Sequence, residues 1–192
     1  DLSKLSGIND LVTKAIEENG PIDVLINNAG VQIVARTEEV SIEDAEWLLR
    51  IDVQAPFRLT HAVLPGMIAR KSGTVVDIAS LAALAPIPGM YYYNAAKAAL
   101  AAASESLRAE MKRFDIHVLT VYPGPVKTPM ADRALDQYKK DPMLGLPIGA
   151  SDVLARRIVK GIKKKHSRLI YPRFYHLSRW FPGVTRWAID TM

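Results

Sequence analysis

Four short apolar runs, each separated from the next by a long helical pattern, constrain this chain more than any other feature. The runs are Asp23–Asn27, Gly73–Ile78, His117–Tyr122 and Arg168–Tyr171. Helical patterns cover about Ile8–Asn19, then Ser41 to about Arg70, Tyr91–Phe114 and Ser151–Lys164. Strands alternating with helices of this length predict a parallel sheet with helices on both faces. Ser41, with Asp44 three residues on, is a short-acid variant of the capping box and should start the second helix. A break is expected near Asp52–Pro56, because proline removes a backbone donor.

The chemistry-bearing residues sit at the ends of these elements. Ser80 closes the run Thr74-Val75-Val76-Asp77-Ile78-Ala79, and a strand end is where open α/β sheets place ligands. Tyr93 and Lys97, at i and i+4, project from one face of the next helix. A free phenol titrates near pH 10, too high for proton transfer at neutrality, and a neighbouring ammonium favours the phenolate. A serine hydroxyl can hold a substrate oxygen beside that phenol. The hydride that completes such chemistry comes from no side chain, so a nicotinamide cofactor, NAD or NADP, is implied.

Asn27-Asn28-Ala29-Gly30 ends the first strand in a turn, and Pro123-Gly124-Pro125-Val126-Lys127-Thr128 follows the third. With these segments in order around Ser80, Tyr93 and Lys97, the chain resembles the short-chain dehydrogenase/reductase family, roughly from Asp1 to Pro172. The resemblance implies a Rossmann-like, doubly wound, three-layer α/β/α fold. It also implies an NAD(P)-dependent oxidoreductase that interconverts a secondary alcohol and a carbonyl. By the same resemblance Tyr93 is the acid–base, Lys97 holds the nicotinamide ribose and favours the phenolate, and Ser80 polarises the substrate. Asn27, Asn28 and Gly30 would line the adenosine side of the cofactor and steady the sheet. Pro123, Gly124, Val126 and Thr128 would meet the nicotinamide half, and Asp1 the adenine. Tyr91 and Tyr92 fall outside the motif and read as pocket wall or packing.

Two departures stand out. The family's fourth catalytic residue is an asparagine; here the position 25 residues after Asn27 holds Asp52, whose charge would stabilise the Lys97 ammonium. The glycine-rich phosphate turn is also missing, since no G-x-x-x-G-x-G occurs in the first fifty residues. The expectation is therefore a truncated dinucleotide-binding domain over 1–192, lacking its first strands, on the order of 60 residues. Val24, Leu25 and Ile26 would then form an exposed apolar edge, and cofactor affinity would be poor. Together the two departures leave open a non-catalytic relative that serves as a binding or scaffold subunit.

Residues 129–150 follow Thr128 where the family carries a substrate lid. Their Met130, Met143, Leu144 and Leu146, with the apolar loop Leu81–Met90 opposite, suggest a hydrophobic alcohol or ketone, though a surface helix is an equal reading. Residues 151–192 carry net +8 against −3 for 1–150, and the stretch 173–192 interleaves arginines with Phe174, Tyr175, Trp180, Phe181 and Trp187. Such a basic aromatic extension can close a pocket or contact a membrane surface; no nucleic-acid motif accompanies it. Small residues Ala95, Ala98, Ala99, Ala102 and Ala103 suit close helix packing, and the resemblance implies a homo-oligomer. No apolar run approaches the ~18 residues of a spanning helix, and the chain has no cysteine. That fits a cytoplasmic protein, with membrane association through the C-terminal segment as the alternative. The four histidines lack ligand spacing, so no metal site is expected.

Overall fold

The computed structural model describes residues 1–138, 147–181, 183, 186 and 187. Its elements run α1 (Ile8–Asn19), β1 (Val24–Asn27), α2 (Ile42–Leu49), α3 (Ala55–Arg70), β2 (Gly73–Ile78), α4 (Tyr91–Met111) and β3 (Ile116–Pro123). They continue with α5 (Pro129–Tyr138), α6 (Ser151–Lys163), β4 (Arg168–Tyr171) and α7 (His176–Trp180). The four strands form one parallel sheet in the order β1-β2-β3-β4.

Alternation along the strands sorts the core into two layers. Val75, Ile116 and Val118 pack beneath α1, α3 and α4, with Val12, Val63, Met67 and Met111. Val76, Leu119 and Val121 face the other way and receive Leu154, Ile158 and Ile162 of α6. The architecture is therefore three-layer α/β/α, as the strand–helix alternation predicts. All three crossovers step in one direction across the sheet, yet α3 and α4 lie on one face and α6 on the other. The last crossover thus has the opposite hand to the first two, against a strong general preference for one hand. The change of face falls between β3 and α6, and Gly124, Val126, Thr128, Met130, Ala131 and Ile148 of that connection line a cleft at the C-terminal ends of the strands. Within it, Val126 and Gly149 are joined by an isolated bridge.

Local chemistry explains the boundaries. Ser41 Oγ accepts the Asp44 amide at 3.1 Å and donates to the Asp44 carboxylate at 2.7 Å, so the short capping box forms. The expected break before Pro56 is a wide π-turn, Arg50–Gln54, that leads directly into α3. Lys71 ends α3 in the left-handed conformation.

At β1 the two faces fare differently. Leu25 packs under the α1–α3 layer, whereas Val24 and Ile26 are 42% and 48% exposed. The register Ile26↔Val76 places these two on the face that α6 covers only further along the sheet. The apolar edge predicted for three residues is therefore confined to two. Among the described residues, no helix is long and apolar enough to cross a membrane.

Candidate active site

A cleft of about 820 Å³ opens at the C-terminal ends of the strands, where the chain passes from one face to the other. This is where parallel sheets bind their ligands. Asn28, Gly30, Ser80, Tyr93, Lys97, Pro123, Gly124, Val126 and Thr128 all line it, so nine of the sequence-predicted residues converge.

Each key side chain is held by its element. Ser80 follows β2 in extended conformation and caps the short turn Leu81–Ala83, its Oγ accepting the Ala82 amide at 3.1 Å. With a lone pair so engaged, the hydroxyl proton is available to an oxygen in the cleft. Tyr93 and Lys97 sit one turn apart on α4, with Nζ 5.7 Å from the phenol ring centre. Lys97 Nζ donates to the Ile78 carbonyl at the end of β2, 3.3 Å away. Thr128 Oγ1 donates to the Val126 carbonyl and accepts the Ala131 amide, which ties the Pro-Gly turn to the start of α5.

Three predicted residues lie elsewhere. Asn27 is buried and turned into the sheet, donating to Asp77 Oδ1 at 2.8 Å and Thr60 Oγ1 at 3.1 Å. These contacts tie β1 to β2 and α3, and Asn27 is not among the residues that line the cleft. Asp1 is exposed and accepts from the Ser3 amide and hydroxyl. Asp52 lies fully buried behind Lys97, outside the cleft lining. Its Oδ1 accepts the Val31 amide at 2.7 Å and its Oδ2 stands 3.0 Å from Lys97 Nζ. Burial pushes the Asp52 carboxyl above its ordinary range, while the Lys97 charge and the Val31 amide pull it back. Gly30 is pressed against this pair: a Cβ there would lie 3.1 Å from Lys97 Nζ and 3.3 Å from Asp52 Oδ2.

The far walls come from segments that the motifs do not mark. Tyr175 lines the cleft, stacks so closely on Gly124 that a Cβ there would meet its ring at 2.9 Å, and donates to the Pro147 carbonyl. Leu154, Ala155 and Ile158 of α6 add an apolar floor. Leu81, Ala82, Ile87 and Met90 form one wall, and Met130, Ala131 and Ile148 the facing one. Met143, Leu144 and Leu146, expected in the lid, lie outside the described residues. Tyr91 and Tyr92 do not line the cleft; their rings meet edge-on at 5.0 Å. Most of the positive charge lies away from the cleft as well. Because α6 runs back toward the N-terminal ends of the strands, Lys160, Lys163, Lys164 and Lys165 sit at the opposite end of the sheet from Tyr175 and the cleft it lines. Among the described residues, no group of three His, Cys, Asp or Glu side chains is placed to hold a metal.

A parallel sheet with a cleft across its strand ends is the architecture of a nucleotide-binding α/β domain. The chain belongs to the short-chain dehydrogenase family, whose model, described as "short chain dehydrogenase", matches residues 1–139. A relative from Drosophila melanogaster, dehydrogenase/reductase SDR family protein 7-like, is 30% identical over 98% of this chain and 61% of its own length. A short-chain dehydrogenase from Sphingobium yanoikuyae, solved with NADPH, superposes with TM-score 0.80 at 25% identity, covering 100% of this chain and 74% of that one. The 4-hydroxyisoleucine dehydrogenase solved with NADH gives 0.76 at 25% identity, covering 88% and 76%. The chain spans about half to three-fifths of the length of the curated relatives it matches.

Proposed function

We propose that this chain carries the catalytic and nicotinamide half of an oxidoreductase that interconverts a secondary alcohol and a carbonyl. The observation that carries the reading is the convergence of Ser80, Tyr93 and Lys97 on one apolar cleft at the sheet's C-terminal edge. The bound cofactor, NAD or NADP, would supply or accept the hydride. The cleft's volume and donor set suit the nicotinamide end: Lys97 has three N–H groups, of which the Ile78 carbonyl takes one, while Asp52 stands in ion-pair contact at 3.0 Å. A remaining N–H can reach ribose hydroxyls, with Pro123, Gly124, Val126 and Thr128 around the ring and Asn28 and Gly30 toward the adenosine side. Ser80 donates to the substrate oxygen, and Tyr93 gives or takes the proton at that oxygen, with the Lys97 ammonium one turn away on α4.

The apolar walls from Leu81, Ile87, Met90, Met130, Leu154 and Ile158 suit a hydrophobic substrate. Residues 129–150 serve as its lid, and Tyr175 fixes that lid's return to the Pro-Gly turn. Ala95, Ala98, Ala99 and Ala102, exposed along α4, suit a second copy of the chain as partner. Replacing Tyr93 by Phe tests the reading. Turnover should fall at least 10²-fold, the range for a lost general acid–base, with the unfolding midpoint unchanged. Unaltered turnover, or none in the parent chain, would favour a binding subunit.

A further inference from the structure

We infer that Asp52 is a positioning residue: its carboxylate anchors and partly neutralises Lys97, and so sets the pH range over which the cleft moves a proton. The inference rests on the redox reading above and adds a control element to that same site. The pair is sealed, with the Lys97 side chain 6% exposed and that of Asp52 0%. It also ties four pieces of the fold together. Asp52 comes from the π-turn between α2 and α3, Val31 from the turn after β1, the Ile78 carbonyl from the end of β2, and Lys97 from α4. A π-turn widens the helix locally and re-aims a side chain inward, which is how such turns recur at functional sites.

The charges around the pair are few. Lys97 is the charged group that acts on Asp52, and Tyr93 lies one turn before Lys97 on α4. Asp77 on β2 is engaged by Asn27, and Arg50, on the π-turn itself, pairs with Glu46 at 3.2 Å on the surface. Two consequences follow. Removing the ammonium alone would strand a buried carboxylate, which is far costlier than removing both partners. Replacing the carboxylate by an amide would let the full ammonium charge act on the Tyr93 phenol, which favours the phenolate.

The test uses the full chain and the variants Asp52→Asn, Lys97→Met and the double variant. Thermal unfolding at pH 7 gives the coupling, and 295 nm phenolate absorbance against pH, with the Tyr93→Phe signal subtracted, gives the proton-moving group. The pH–rate profile for alcohol oxidation is recorded alongside. Lys97→Met should lower the unfolding midpoint by about 10 °C, and adding Asp52→Asn should recover most of that loss. Asp52→Asn alone should move the Tyr93-dependent absorbance, and the rate limb, down by about one pH unit. Additive midpoints, or an unmoved phenolate signal, would overturn the inference. If the couplings appear without turnover in the parent chain, the redox reading fails and the Asp52 role stands. If turnover appears and neither coupling does, the reverse holds.

Discussion

One end of β1 is clamped and its middle is bare. The Gly30–Val31 turn is held against the buried Asp52–Lys97 pair, while a few residues earlier Val24 and Ile26 face solvent. The same strand thus joins a region held by buried polar contacts to one where apolar side chains lie uncovered. Alternation produces this contrast: Leu25 points to the α1–α3 layer, and its neighbours point to the face that α6 does not reach. The chemistry is built where both layers meet the sheet, around β2, β3 and α4. The β1 side supplies a turn to that site without being closed itself.

The sharpest way to break the comparison is to make equivalent truncations in both regions. Leu119 on β3 is fully buried between Val76, Val121 and α6, so Leu119→Ala should cost about 3 kcal/mol in urea unfolding. Ile26→Ala should cost less than ~0.5 kcal/mol, as an exposed site does. Equal losses would mean that the outer face of β1 is covered in solution. A smaller effect belongs to the clamped turn. Gly30→Ala forces a methyl to 3.1 Å from Lys97 Nζ, and that atom is already held by Asp52 and Ile78. Turnover should fall by about tenfold, the cost of displacing Lys97 by a fraction of an ångström, with the stability change read separately by melting.

The smallest effect is electrostatic and lies far from β1. Arg168 donating to Glu105 Oε1 at 2.5 Å, with Tyr122 donating to the same oxygen, holds the Glu105 carboxyl down to about 2. Its folded value is depressed, so the stabilisation is present above the ordinary carboxylate range and fades as pH falls from about 4.5 toward 2. The two side chains are a third exposed, so solvent screening limits the pair to less than ~1 kcal/mol. Urea midpoints of Glu105→Gln and the parent should differ slightly at pH 7 and converge near pH 2.

Much of the cleft lining was legible in the sequence, because its spacing is local. Ser80 ends a strand, Tyr93 and Lys97 share a helix face, and Asn28–Gly30 and Pro123–Thr128 follow strands whose hydrophobic runs are plain. The capping box at Ser41 was legible for the same reason. What escaped was set by tertiary choices. Tyr175 and Ile158 reach the cleft only because the last crossover changes face, and nothing in residues 124–150 signals its hand. Asn27 read as a cofactor residue by its place in the turn, but the strand's alternation turns it toward Asp77 and Thr60. Asp52 showed itself as a changed residue, while its contact with the Val31 amide depends on a π-turn that a proline alone does not predict. The excess of charge in 151–192 suggested one basic aromatic surface, yet the direction of α6 separates its lysines from Tyr175 and the cleft.

The central claim is that this chain holds the nicotinamide half of the site and a smaller share of the adenosine half, since Pro123, Gly124, Val126 and Thr128 all line the cleft, whereas of the adenosine set Asn28 and Gly30 do and Asn27 and Asp1 stand outside it. The direct test is a fluorescence titration with reduced nicotinamide mononucleotide beside NADH and NADPH. The account predicts weak, saturable binding of all three, with dissociation constants within about threefold, because the adenosine moiety finds few contacts beyond Asn28 and Gly30. Dinucleotides that bind a hundredfold tighter than the mononucleotide, or a mononucleotide that does not bind at all, would contradict it.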